Sequence, residues 1–90
     1  MNRYGRIAHK HWMEHLPQRL SQIDNPQQYF ESLGEQIEER VDELSQAIAG
    51  EDPPGEGYLD KVGRLNEARQ SAQAQALLEM ALFDPESDDR

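Results

Sequence analysis

The chain has 90 residues, of which 36% are hydrophobic and 30% are charged, and its 18 acidic and 9 basic residues give a formal net charge of −9 at pH 7. This sign disfavours free nucleic acid and anionic membranes as the main ligands, and it favours a protein partner with a basic surface. The absence of cysteine excludes disulfides and thiol catalysis.

The first predicted helix covers residues 3–16. Its apolar positions recur every three or four residues along one side: Tyr4, Ile7 or Ala8, His11 or Trp12, and His15 or Leu16. Its polar side is cationic, since residues 1–24 carry four basic and two acidic side chains. Pro17 is expected to end this helix, and residues 17–23 then form a corner.

The second predicted helix covers residues 26–49. Asp24 or Asn25 can cap it, and Pro26 suits its first turn. One side is an apolar stripe: Phe30, Leu33, Ile37, Val41, Leu44 and Ile48. Gly34 costs this helix up to about 1 kcal/mol relative to alanine. Either Gly34 permits the close approach of another helix, or it is a tolerated weak position.

The other side of this helix is acidic and is the predicted partner-binding site: Glu31, Glu35, Glu38, Glu39, Asp42 and Glu43. Like charges four residues apart each cost a few tenths of a kcal/mol, so the helix depends on tertiary packing. The carboxylates recur at intervals of about 6 Å, which resembles the spacing of phosphates on one DNA strand. Two hypotheses follow: a solvated face on an accessory or adaptor protein, or a nucleic-acid mimic that inhibits a defence nuclease or a DNA-binding protein.

After a turn at residues 50–57, the third predicted helix runs from Tyr58 to Phe83. Its inward positions follow a nearly heptad spacing: Tyr58, Val62, Leu65, Arg69, Ala72, Ala76, Met80 and Phe83. Asp84 and Pro85 are expected to stop it. Residues 84–90 are then predicted to be an acidic, mobile tail.

Two long helices joined by a short turn are antiparallel neighbours. We therefore predict an all-α domain over residues 1–83, a three-helix bundle built on a long antiparallel helical hairpin, with the first helix packed across it through Trp12. The narrow stripes leave apolar edges that one copy does not cover, so we also expect a homodimer.

Three parts of the chain resemble the small transposon-encoded proteins called TnpV. They are Tyr4-Gly5-Arg6, then Leu33 with Glu35-Gln36, Arg40 and Leu44, and finally Gly63-Arg64-Leu65-Asn66 with Arg69 and Ala72. The resemblance extends over most of residues 4–82 and implies residence on a mobile genetic element, with no catalytic mechanism to transfer.

The resemblance also implies that Arg64, Asn66 and Arg69 face the acidic helix. Glu35 and Glu39 would then be their partners across the hairpin. Such pairs fix helix register and add little net stability. A polar functional site shared by the two helices is the alternative.

His11 and His15 lie four residues apart, the separation that two metal ligands on one helix need. No third or fourth ligand follows a matching pattern, so we expect no metal and no cofactor. The chain has no phosphate-binding glycine loop and no nucleophile motif, so we expect a protein that is not an enzyme. A DNA-binding alternative would rest on Arg3, Arg6, Lys10 and Arg19, against the net charge.

No stretch approaches the ~18 apolar residues of a membrane span. The segment MNRYGRIAHKHW also lacks the uninterrupted apolar region of a secretory signal. We therefore expect a cytoplasmic protein with no membrane contact.

Overall fold

The computed structural model describes residues 1–86, which form four α-helices and no strand. The helices are α1 (Arg3–His15), α2 (Pro17–Ser21), α3 (Pro26–Ala49) and α4 (Tyr58–Met80). They pack into a flat body of 57 × 29 × 16 Å. The all-helical fold predicted from the sequence is confirmed, and the predicted corner contains one short additional helix, α2.

The long helix α3 is the centre of the fold, because it packs against both α1 and α4. Asn25 caps its start by accepting a hydrogen bond from the Gln28 N–H at 3.2 Å. Gly50 ends it with φ 65°, a backbone conformation that favours glycine. The eight residues 50–57 then reverse the chain, so α4 returns along α3 in the opposite direction.

Helix α1 lies beside α4 and runs in the same direction. Near its start, the Gln73 amide donates a hydrogen bond to the Tyr4 hydroxyl at 3.1 Å. Near its end, the Trp12 indole N–H donates to the Ala81 carbonyl at 2.9 Å. Tyr4 and Trp12 are buried together with Ala8, so α1 covers α3 and α4 with one residue per turn.

Two glycines allow α1 to cross α3 at very short range. A Cβ atom on Gly34 would lie 2.9 Å from the Gly5 backbone nitrogen and would collide with the Asn2 side chain. A Cβ atom on Gly5 would lie 2.5 Å from the Phe30 carbonyl oxygen. The Asn2 side chain is needed at this point, because it accepts the Gly5 N–H at 2.9 Å and so caps α1. Gly34 is therefore a site of close approach, the first of the two interpretations.

The end of α4 differs from the prediction, because the helix stops at Met80 and not at Phe83. After Met80 the backbone is no longer helical, and residues 81–83 pack over Trp12. The Ala81 carbonyl accepts the indole N–H, and the Phe83 carbonyl oxygen lies 2.8 Å from Nε2 of His11. These contacts with α1 replace the next helical turn.

Glu86, which belongs to the predicted tail, is also attached to the body. The Glu86 N–H donates to the His15 carbonyl at 2.8 Å. The Glu86 carboxylate accepts the backbone N–H groups of Gln18 and Arg19 at 3.1 and 2.9 Å, which satisfies the first turn of α2. Residues 87–90, the rest of the predicted mobile tail, lie outside the described residues.

We expect Gly34→Ala to lower the free energy of unfolding by about 1–3 kcal/mol, since the added methyl group overpacks the crossing with α1. Gly63→Ala is the matched control, because Gly63 is also inside a helix and no atom approaches its Cβ position within 4 Å. This control should raise stability by up to about 1 kcal/mol. Urea unfolding monitored by circular dichroism measures both changes, and equal stabilisation by the two variants would contradict the close crossing.

Candidate protein-binding surface

The apolar stripe shared by α3 and α4 is buried at one end of the molecule and exposed at the other. Along α3, Val41 is fully buried, whereas Ile48 is 47% exposed. Along α4, Ala68 is 3% exposed, whereas Leu65 is 42% and Tyr58 is 79% exposed. The change falls where α1 begins, because α1 has 13 residues while α3 has 24 and α4 has 23. Beyond the start of α1, no other element covers the stripe within the described part of the chain.

This uncovered end contains a groove between α3 and α4, here called the open groove. Its volume is about 480 Å³, and it is lined by Ser45, Gln46, Ala49, Gly50, Leu65 and Arg69. Small side chains on α3 form one wall, and Leu65 supplies apolar surface from α4. The open groove therefore lies along α3 beyond the part of that helix on which α1 packs.

Three of the six residues of the predicted acidic site already have ion-pair partners. Glu31 lies 3.6 Å from the amino group of Met1. Asp42 pairs with Arg69 across the hairpin at 3.1 Å, and Glu43 pairs with Arg40 at 3.5 Å.

The other three acidic residues, Glu35, Glu38 and Glu39, are exposed and form no ion pair within residues 1–86. Ion pairing inside the molecule therefore leaves the middle of the acidic face available. These three carboxylates remain the candidates for contact with a basic partner.

The predicted pairing of Arg64 and Arg69 with Glu35 and Glu39 is wrong, because both arginines have other partners. Arg69 faces the acidic helix as predicted, but its partner is Asp42. Arg64 donates to the Ala49 carbonyl, so it lies level with the end of α3. Glu39 is ten residues earlier, about 15 Å along the helix axis, and the arginine side chain does not span that distance.

Asn66 is exposed, and its side chain makes no hydrogen bond among the contacts of residues 1–86. A second bridge between the long helices joins Arg40 of α3 to Glu79 of α4 at 3.2 Å. This pair was not predicted. In this pair the cation lies on α3 and the carboxylate on α4, the opposite of the predicted arrangement.

Arg64 instead organises the turn that joins the long helices. Its guanidinium donates to Glu56 at 2.8 Å and to Asp52 at 2.7 Å, and Lys61 reaches the other oxygen of Asp52 at 2.6 Å. The hydrogen bond from Lys61 holds the pKa of the Asp52 carboxyl below its ordinary value. The hydrogen bond from Arg64 lowers the pKa of Glu56 in the same way. This cluster of Asp52, Glu56, Lys61 and Arg64, here called the clasp, lies at the end of the open groove.

The histidines of α1 have structural contacts. The rings of His11 and His15 lie 4.8 Å apart, and the ring of His9 lies 4.9 Å from that of Phe30. His11 also contacts the Phe83 carbonyl oxygen. Over residues 1–86, no three His, Cys, Asp or Glu side chains come together as a metal site would require.

Comparisons with models of protein families, with curated proteins and with solved structures find no match to this chain. Among the helices of residues 1–86, none combines the length and the apolar character needed to cross a membrane. The candidate site is therefore defined by its own geometry.

Sequence reasoning missed the lining of the open groove, above all Ser45, Ala49 and Leu65. A usable signal was present, because the first predicted helix is much shorter than the other two and leaves part of both apolar stripes without a partner. The anchoring role of Glu86 had no such signal, since it depends on where the chain passes after α4.

Protonation of the clasp should destabilise the fold at low pH. Because the pKa values of Asp52 and Glu56 are lowered on folding, their stabilising contribution is present above the ordinary carboxyl pKa of about 4 and is lost as the pH falls through the lower folded value. We expect Asp52→Asn/Glu56→Gln to be less stable than the wild type at pH 7, and this difference should shrink as the pH falls below the ordinary carboxyl pKa of about 4.

Urea unfolding at several pH values measures the difference between the two proteins. Glu51→Gln is the control, because Glu51 is the adjacent acidic residue, is exposed, and forms no ion pair within the described chain. A stability difference for the double variant that does not shrink as the pH is lowered through the acidic range would contradict the proposed ionisation of the clasp.

Proposed function

We propose that this protein is a non-enzymatic, acidic helical module that binds a protein partner with a basic surface, as an accessory or adaptor. One observation carries the proposal: Glu35, Glu38 and Glu39 form no ion pair within residues 1–86, and the part of the apolar stripe that α1 leaves uncovered follows them along α3. Exposed apolar surface supplies most of the affinity at protein interfaces. Complementary charge around it steers association and selects the partner.

The proposal includes a more detailed architecture than the all-helical fold alone. In it, α1, α3 and α4 form a three-helix bundle built on the α3–α4 hairpin, and the protein acts in the cytoplasm. The parallel course of α1 and α4 across α3 supports this description. A homodimer, expected from the narrow stripes, would bury the same uncovered end and would exclude the partner from it. Sedimentation separates the two states, since a dimer has twice the monomer mass of 10.4 kDa.

Nucleic-acid mimicry is the alternative use of the acidic face, and the ion pairs weigh against it. A mimic needs a long row of unpaired charges, since binding to the phosphate backbone depends on many phosphate contacts. Here the pairs of Glu31, Asp42 and Glu43 leave unpaired charges only from Glu35 to Glu39, about 6 Å of helix. The adaptor function is therefore the better supported one. Residence on a mobile genetic element is implied by the TnpV resemblance alone.

The proposal predicts that neutralising the unpaired carboxylates weakens partner binding without unfolding the protein. In the variant Glu35→Gln/Glu38→Gln/Glu39→Gln, the like-charge pair between residues 35 and 39 is relieved, so helicity should be unchanged and stability slightly higher. Asp42 is left intact because its loss would break the bridge to Arg69. The matched control removes three charges elsewhere, Glu14→Gln/Asp24→Asn/Asp84→Asn, at exposed sites without ion pairs in residues 1–86.

The measurement uses the immobilised protein to capture a basic partner from cell extract, followed by titration of the purified partner against both variants. We expect affinity to fall at least about 10-fold for the α3 variant and less than about 3-fold for the control, with steep weakening by salt. Equal affinities for the two variants would overturn the proposal. Displacement of the partner by duplex DNA would favour mimicry instead.

A further inference from the structure

We propose that the open groove is the docking site for a cationic amphipathic helix of the partner protein. This inference rests on the proposed function and names the structural element that the partner contributes. The helix would lie between α3 and α4 beyond the amino terminus of α1, with its apolar side on Leu65 and Ala49 and its basic side toward the acidic row of α3.

Continuity with the interface of α1 indicates what the open groove accepts. Helix α3 already holds one amphipathic helix, α1, which also reaches α4 through the hydrogen bond between Tyr4 and Gln73. The inward side of α1 carries Tyr4 and Ala8, and its exposed side carries Arg3, Arg6 and Lys10. Two neighbouring helices offer ridges and a groove into which a third helix packs. No strand edge is present in residues 1–86 to receive an extended peptide. A helix is therefore the matching ligand.

The size of the uncovered end sets the length of the docked helix. Residues 42–49 of α3 span about 12 Å, and residues 58–69 of α4 span about 18 Å at 1.5 Å per residue. The space accommodates two to three helical turns, roughly 8–12 residues. Two apolar anchors three or four residues apart would cover Leu65 and Ala49.

The charge around the open groove selects a cationic helix. Glu38, Asp42, Ser45 and Ala49 follow one another at spacings of three or four residues, so they form one row along α3, and Ser45 and Ala49 line the groove. The first carboxylate on this side, Glu31, already pairs with a cation, the amino group of Met1. Glu38, in the row that leads to the groove, has no ion-pair partner within residues 1–86 and is available to a cation of the partner helix.

Charge also disfavours a second copy of this chain in the open groove. Residues 42–67 contain seven acidic and two basic side chains. Two such ends in contact would place like charges face to face, which opposes association. A basic partner removes that repulsion, and the cationic α1 of a second copy is already buried against its own α3.

The test uses the full chain, labelled with ¹⁵N, and a synthetic peptide with the sequence of residues 1–16, a cationic helix whose apolar side fits this pair of helices. We expect chemical-shift changes confined to residues 42–50 and 58–69. Leu65→Gln should weaken peptide binding at least about 10-fold. Leu78→Gln is the matched control, the same substitution on α4 at a side chain that is 64% exposed and does not line the groove, and it should change affinity less than about 2-fold.

A second variant, Ser45→Arg, keeps the result interpretable if Leu65→Gln unfolds the protein. It places a cation on the groove wall without removing apolar contact, and it should repel the peptide by at least about 10-fold. Shift changes at residues 30–41 and 72–81 would mean that the peptide replaces α1, and would overturn the proposal. A dimer of the protein alone that Leu65→Gln dissociates would assign the groove to a second copy, and would overturn it too.

The outcomes for this inference and for the proposed function are distinguishable. If the captured basic partner is lost with Glu35→Gln/Glu38→Gln/Glu39→Gln but retained with Leu65→Gln, the acidic face binds the partner and the open groove does not. If both variants lose it while Leu78→Gln retains it, the groove and the acidic row act together. If neither loses it, both proposals fail.

Discussion

The fold depends on one close contact, the crossing of α1 over α3 at Gly5 and Gly34. Absence of both Cβ atoms lets the backbones approach until the Asn2 side chain, which caps α1, lies directly over Gly34. This contact places Tyr4 next to Gln73 and Trp12 next to Ala81. The position of α1 therefore follows from two missing methyl groups, and the extent of the buried core follows from the position of α1.

Trp12 connects this crossing to the C-terminal segment. Its ring packs edge-on against Phe30 at 5.3 Å and contacts Phe83 at 6.2 Å, while the Arg19 guanidinium lies over it at 5.2 Å. Aromatic pairs with this geometry stabilise beyond the area they bury. The side chains around Trp12 therefore add apolar packing to a small chain that has few large apolar residues. Glu86 holds the same segment in place, because its carboxylate accepts the backbone N–H groups at the start of α2.

The same arrangement that builds the core also leaves it incomplete. A helix of 13 residues covers only about half of a hairpin made from helices of 24 and 23 residues. The remaining apolar stripe ends at the clasp of Arg64, Asp52 and Glu56, which holds the turn in place without covering the groove. Exposed apolar surface and unpaired carboxylates on the same helix supply the two parts of the proposed interface, an apolar centre that can be desolvated and a charged rim. The proposed binding surface is therefore the end of the α3–α4 hairpin that α1 does not cover.

The sequence by itself determined the helices, because the three- and four-residue recurrence of apolar side chains, the capping position at Asp24 or Asn25, and the turn at Gly50 are local signals. It also determined the acidic and basic faces, and it named Glu35, Glu38 and Glu39 among the candidates for contact with a partner. Only the tertiary structure decided which of the six acidic side chains stay unpaired, since ion pairing depends on helix register: Arg69 lies opposite Asp42, and Arg64 lies opposite the end of α3. It likewise decided where α4 ends and where the open groove lies, because both depend on contacts between residues about seventy positions apart in the chain, such as that of Trp12 with Ala81. Local periodicity carries no information about such contacts.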